Sequence, residues 1–436
     1  MLKTNAKILS VLIAGLFIFM PASSVSASTI TSVYSTDVAI ENNLGADLVD
    51  YQVAIILNSS NFDFSKVSVN GSDVLVEDIK GNPLSYWIEE WDSSGNKAKI
   101  WVRVPKIPAN REVGIRLIYG DSSVQSRSNG DEVFEFFDEF LYVDENGTAV
   151  YDPNKWTVLY GTWIVENGQL SPSGHYSSLI DSIYTKSFTM TDGIVEMKFS
   201  PLGTRCNYCY NVGTGLLVRY NTTISNTYMF NAGGYGYAYE IATWTQIPKP
   251  YWNPLSTFGY YTSLQHGINY HFKSTLVGSN IQFEVLEGSL SGTHLELNDS
   301  TITRGAIGIM SWQEPRVDWI FVRKYVEIEP TVVVGKTVLQ KIDTGRRTYH
   351  TYALLTIYWY NKYQQMHSQY PALYNESIRR GVSNETLQES IRHLQIAEEN
   401  FKKINQMDII RGQISMVSTM RRAYIHMRTA FKLLGG

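Results

Sequence analysis

Cysteine is nearly missing. The 436-residue chain has 2, both in the stretch RCNYCY, which excludes a fold held by a network of disulfides. In an exported chain Cys206 and Cys209 read as one local disulfide closing a loop. A redox pair would open a helix in an α/β unit, whereas this pair sits among Gly and Tyr in a β context. A zinc finger would need two further ligands at finger spacing, and none follows, so no metal site is expected. Charge is scarce as well. DEKR residues make up 18% and the net charge is −4, so nothing steers the whole molecule towards nucleic acid. After the first twenty residues no segment reaches the roughly 18 apolar residues of a membrane helix. GxSxG, HExxH, P-loop and EF-hand patterns are all missing, and no cofactor is expected.

What is present begins with MLKTNAKILSVLIAGLFIFMPASSVSAS. Lys3 and Lys7 precede an apolar run from Ile8 to Met20, and small residues follow. That is the layout of a secretory signal peptide over residues 1–27, cleaved after Ala27; left uncleaved, it would serve as an anchor. The expectation is a secreted or cell-surface protein. Sequons at Asn58, Asn70, Asn146, Asn221, Asn298, Asn375 and Asn384 fit a glycoprotein.

Residues 28–132 alternate apolar and polar side chains in short runs such as DYQVAIIL, SYWIEEW, AKIWVRV and EVGIRLIYG. Turn clusters separate them, which predicts an antiparallel β-sandwich. Residues 133–336 continue the β pattern in WTVLYGTWIVENGQL, GIVEMKFSP, GTGLLVRY, NIQFEVLEG and VDWIFVRKYVEI, enough for one large jelly roll. Beyond Val338 the period lengthens. Leu387, Ile391, Leu394 and Phe401 form one stripe, and Val417, Met420, Tyr424, Met427, Phe431 and Leu434 another. With an earlier helix over about 345–368 closed by Pro371, residues 343–436 predict a three-helix bundle, with Ser383 or Asn384 capping its middle helix. Between Asp343 and Gly436 thirteen Lys/Arg face seven Asp/Glu, so this tail is basic and the remainder acidic.

The stretch YWIEEWDSSGNKAKIWVRVP sets two adjacent glutamates among three tryptophans. Read as a hairpin with a five-residue loop at Asp92–Asn96, it pairs Trp87 with Trp101, Glu89 with Lys99 and Trp91 with Lys97. Alternation would then place Glu89 and Glu90 on opposite faces, whereas a glycosidase needs two carboxyls on one cleft. The Trp87–Trp101 face is assigned to the core rather than to a sugar platform.

DYQVAIIL, SYWIEEW, AKIWVRVP, GIRLIYG and VFEFFDEF, in that order, resemble the exported module known as domain of unknown function 2341, over about residues 30–140. GQL (168–170), GAIGIM (305–310) and VDWIFVRKYVEIEP (317–330) resemble pieces of a concanavalin A-like (laminin G-like) jelly roll. The resemblance implies an exported protein whose fold commonly binds carbohydrate or surface ligands. It carries over no catalytic residue.

Tyrosine crowds residues 208–261. In GGYGYAYE alternation sets Tyr235, Tyr237 and Tyr239 on one strand face, a platform for stacking on sugar rings, or else a half-buried sheet face. Trp244, Tyr251 and Trp252 complete the candidate ligand-binding set. Glu240, Glu284, Asp138, Asp181 and Asp318 are scattered acids, and His266 and His271 are too isolated for a metal. The first expectation is therefore non-catalytic binding of a polysaccharide or surface glycan. Alternatives are an envelope-assembly protein attached through the tail, where Arg421, Arg422 and Arg428 lie beside an apolar stripe, and a glycan-active hydrolase.

Overall fold

The computed structural model describes residues 30–434, apart from 122–123, 125, 174–179, 202–212, 233–237, 246–250, 260–263, 266, 312–314, 344–362 and 405–412. The signal segment, Cys206, Cys209, Tyr235, Tyr237 and His266 therefore lie outside the described residues. The chain divides into two compact units, one of Ser35–Val338 and one of Met1–Tyr34 with Leu339–Gly436. Among the described residues no helix is long and apolar enough to cross a membrane.

The protein is mainly β, as the sequence predicts. A sandwich combines a four-stranded sheet, in the order β22 (Thr331–Asp343), β1 (Ile30–Asn42), β6 (Arg111–Tyr119), β3 (Leu75–Asp78), with a three-stranded sheet, β2 (Leu48–Asn58), β5 (Lys97–Ile107), β4 (Tyr86–Asp92). Along β2, Val53, Ile55 and Leu57 are buried while Ile56 is exposed, the alternation that a half-covered strand requires. The jelly-roll span 133–336 read from the sequence includes Thr331–Lys336; in the structure these residues belong to β22, at the edge of the sandwich sheet.

The jelly roll packs two larger antiparallel sheets. One runs β19 (His294–Asn298), β18 (Asn280–Glu287), β17 (Tyr270–Val277), β12 (Gly193–Pro201), β21 (Pro315–Arg323), β10 (Gln169–Pro172), β9 (Trp163–Glu166), with β7 (Phe136–Asp138) also on β21. The other runs β16 (Tyr251–Phe258), β15 (Tyr239–Thr245), β14 (Asn226–Ala232), β13 (Thr214–Asn221), β20 (Ala306–Ser311), β11 (Asp181–Thr185), β8 (Trp156–Tyr160). Leu216, Phe230, Ile241 and Ile309 from the second sheet meet Val195, Phe272, Phe283 and Ile320 from the first in one core. The apolar run of β13 is buried on both faces, because Leu217 joins Met229, Trp244 and Met310 on the far side.

An aromatic seam joins sandwich to jelly roll. Trp87 and Trp101 meet Phe134, Phe137, Trp319 and Phe321, with Phe321 stacked on Phe134 at 4.1 Å. The core assignment of the Trp87–Trp101 pair is right, and the core in question lies between modules. The short helix α1 (Gly130–Val133) feeds this seam, its N-terminus capped by Asn129.

In the second unit, residues 363–379 (α2), α3 (Asn384–Ile404) and α4 (Gln413–Leu433) are helical, around Tyr363, Tyr370, Leu387, Ala397, Met420, Met427 and Phe431. Ser383 caps α3 by accepting from the Thr386 amide at 3.2 Å. The expectation that Pro371 ends a helix is corrected: α2 runs through it. Tyr363, Met366, Tyr370 and Leu373 recur every three or four residues and all pack into the bundle, and that burial outweighs the roughly 3 kcal/mol cost of an interior proline.

Candidate functional site

The hairpin departs from simple pairing at Glu89. Trp87 pairs with Trp101 and Ile88 with Ile100, but a bulge then sets Glu90 opposite Lys99 and Asp92 opposite Lys97. An extra residue reverses side-chain parity beyond it. Trp91 therefore turns to the sandwich interior, beside Phe62 and Phe64. The bulge also overturns the opposite-face argument, since Glu89 reaches Lys99 at 2.9 Å and Glu90 reaches Lys97 at 2.8 Å. Each carboxylate has its own lysine, and Glu89 also accepts from the Trp101 indole at 2.6 Å.

The other acids are likewise committed. Asp138 accepts from Trp156 Nε1 at 2.6 Å and from the Phe140 amide at 2.8 Å, and burial pushes its carboxyl up. Asp318 accepts from Gln169 at 2.5 Å and is likewise raised by burial. Glu240 is buried beside its cross-strand neighbour Asn231, whose amide donates to it at 3.1 Å. Glu284 pairs with Lys273 at 2.6 Å. Asp181 lies buried under Gly161, where an added Cβ would fall 1.9 Å from its Oδ1.

A buried charged cluster was invisible in the sequence. Glu196 accepts from Arg323 at 3.0 Å and lies 2.9 Å from His271 Nε2. Arg323 also donates to Glu329 at 2.6 Å and sits 5.1 Å over the Trp101 ring; Tyr51 donates to Glu329 at 2.5 Å. Burial alone would raise Glu196, but His271 and Arg323 hold it far below the ordinary carboxylate range. With Tyr51 and Trp101 from the sandwich and the rest from or just after the jelly roll, this network cements the seam.

The tyrosine platform is corrected where it is described. Tyr239 is 2% exposed, its ring faces Phe272 and Phe283, and its hydroxyl donates to the Ser289 carbonyl. Burial pushes that phenol up to about 12. Trp244 is 3% exposed on the opposite face, beside Leu217 and Met229. Tyrosine's strand preference put these rings in the sheet, and both sheet faces are covered. For Tyr251 and Trp252 the structure gives backbone register alone, opposite Thr245 and Trp244.

An open cleft of about 630 Å³ with both polar and apolar lining lies elsewhere, on the sandwich, between residues 59–65 after β2, Asn96 of the hairpin turn and Val334–Thr337 of β22. Phe62, Phe64, Trp91 and Tyr119 form an aromatic cluster beside it. Tyr119's hydroxyl bonds Thr36 and Thr337, each at 2.8 Å. Ser59, Ser60, Asn61, Asp63, Ser65 and Lys336 supply donors and acceptors. The Ser65 hydroxyl and amide hold Asp63 below its usual range, so it stays ionised. A rim of hydroxyls and amides with one carboxylate and one lysine can hydrogen-bond a neutral polyol in either sense.

Residues 70–159 match the family described as Domain of unknown function (DUF2341). The match spans the hairpin, α1 and the first jelly-roll strands, and so holds the sandwich half of the seam. No curated protein matches the chain. Among solved structures, the carbohydrate-binding module CBM66 from Bacillus subtilis is similar at 15% identity, covering 39% of this chain and 93% of that one with a TM-score of 0.29. LamAcat from Zobellia galactanivorans gives 11%, 44% and 97% with a TM-score of 0.30. The VIP36 exoplasmic/lumenal domain in its Ca2+/Man3GlcNAc-bound form gives 9%, 44% and 99% with 0.32. These likenesses concern fold over less than half of the chain and do not bear on ligand choice.

Proposed function

We propose that this is an exported, surface-exposed protein that binds a neutral glycan without cleaving it, and that the sandwich cleft is where it binds. The observation that carries this reading is the cleft rim, where hydroxyls, the Asn61 and Asn96 amides, an ionised carboxylate and a lysine line a space of about 630 Å³. That volume falls within the range of small-ligand sites. Binding without cleavage is supported by the commitments of Glu89, Glu90, Asp138, Asp318, Glu240 and Glu284 to lysine, indole or amide partners. Export is supported by the signal-like N-terminus and by the exposure of six of the seven sequon asparagines, all but Asn221.

Titrating neutral oligosaccharides into the intact protein tests the reading. Trp91 lies beside the cleft, so its fluorescence should change on binding, and Asn61→Ala with Asp63→Ala should weaken binding at least tenfold while the sugars stay whole. Equal binding by the cleft variants would move the site elsewhere, and new reducing ends would make the protein a hydrolase.

A further inference from the structure

Asn58 ends β2 and opens the sequon Asn58-Ser59-Ser60. It is exposed, and the next three residues, Ser59, Ser60 and Asn61, line the cleft. Its Oδ1 accepts from the Ser60 amide at 2.9 Å and from the Ser60 hydroxyl at 2.5 Å. Its own backbone amide donates to Asn61 Oδ1 at 2.8 Å. The acceptor half of the side chain is therefore engaged. Among the described residues nothing takes a hydrogen bond from its Nδ2, the atom to which a sugar is attached. The other sequons lack this combination. Ser377, the hydroxyl residue of the Asn375 sequon, is buried and donates to the Leu434 carbonyl at 2.8 Å. Thr386, of the Asn384 sequon, bonds Ser383 at 2.8 Å. Asn221 is half-buried. Asn70, Asn146 and Asn298 are exposed, but none adjoins a cleft residue in the chain.

We propose that Asn58 carries an N-linked oligosaccharide and that this attached chain closes the cleft to free glycans, a control that rests on the glycan-binding reading. In the attachment, Nδ2 forms a bond to the anomeric carbon of an oligosaccharide activated on a lipid phosphate. The bond from that carbon to the phosphate oxygen breaks, the lipid phosphate leaves, and Nδ2 gives up one proton to a base of the host transferase. The product is a polyol tethered one residue from a rim of donors and acceptors suited to polyols. Tethering makes its encounter with the cleft intramolecular, at an effective concentration of roughly millimolar for a short flexible link. A free oligosaccharide must then displace it or pass it.

The test compares the whole protein as parent and as Asn58→Gln, each exported by its native cells and each made in a host without the transferase. Peptide mass spectrometry of the exported parent should show the Asn58 peptide heavier by whole sugar units. Titrated with neutral oligosaccharides, exported Asn58→Gln should bind at least about threefold more tightly than the exported parent. From the host without the transferase, parent and variant should bind alike, which separates the glycan from the amino-acid change. Asn298→Gln exported by native cells should bind as weakly as the exported parent. The proposal is overturned if the Asn58 peptide of the exported parent has its unmodified mass, if exported Asn58→Gln binds no more tightly, or if Asn298→Gln gives the same gain. Failure of the unmodified parent to bind any oligosaccharide would instead sink the glycan-binding reading, and the control of the cleft with it.

Discussion

Among the described residues, three carboxylates accept from indole nitrogens: Glu89 from Trp101 at 2.6 Å, Asp138 from Trp156 at 2.6 Å and Glu139 from Trp87 at 3.2 Å. A buried indole must place its one donor, and an acid that accepts it is fixed in place. Glu139 shows the electrostatic consequence. Burial raises its pKa, so the fold disfavours its charged form, stability is lowest above the folded pKa, and it recovers as pH falls through that range. Glu139→Gln keeps an acceptor for Trp87 and removes the charge. It should raise the melting temperature at pH 7, with the gain shrinking towards pH 4; an equal gain at both pH values would disprove the charge argument. Glu89→Gln should behave oppositely. Its side chain is 8% exposed, so losing the lysine pair should cost about 1–3 kcal/mol in urea unfolding, with glycan binding intact. The Glu89–Lys99 pair was legible from cross-strand spacing. The bulge was not, because alternation carries no mark of an inserted residue.

Among elements, the helices reward the 3.6-residue period and punish the breaker rule. Pro371 is exposed in the middle of α2, and Pro371→Ala should stabilise the bundle by up to about 3 kcal/mol by restoring a main-chain hydrogen bond. A lower melting temperature would show the ring to be needed. Between α3 and α4, His393 and His426 face each other with Nδ1 atoms 3.0 Å apart and ring centroids at 5.2 Å. Those distances put the two nitrogens nearly in line with both centroids, the geometry of one shared proton. Burial, then His393 and Arg392, lower the pKa of His426. With the folded pKa below the unfolded one, the stability contribution is complete above about pH 6.5 and is lost as pH falls. Thermal melts of the helical signal from pH 8 to 5 should show that decline, and His426→Gln should flatten it. An unchanged slope in the variant would assign the decline to other groups.

At the scale of the whole molecule, strand alternation and the change of period at Val338 made the β-rich body and the helical tail legible. The cleft was not, because it joins residues 59–65 to Val334–Thr337 through the return of β22 to the sandwich. No local pattern reports a pairing of that span. The seam was half legible: Trp87 and Trp101 read as core, but their partners Trp319 and Phe321 lie over two hundred residues away. Ser35–Val338 is one compact unit, and the seam gives the reason. Phe321 is 0% exposed and touches Trp87, Trp101, Phe134 and Trp319, while Arg323, two residues on, carries the ionic network over Trp101. Sandwich and jelly roll should then melt together in one calorimetric transition. Phe321→Ala should cost about 3–5 kcal/mol and split that transition in two, because it empties the contact both modules share. Ile309→Ala, in the jelly-roll core, supplies the control. A comparable loss there, about 2–5 kcal/mol, should lower the single transition without dividing it. If both variants leave one transition, the modules are coupled by something other than the aromatic seam.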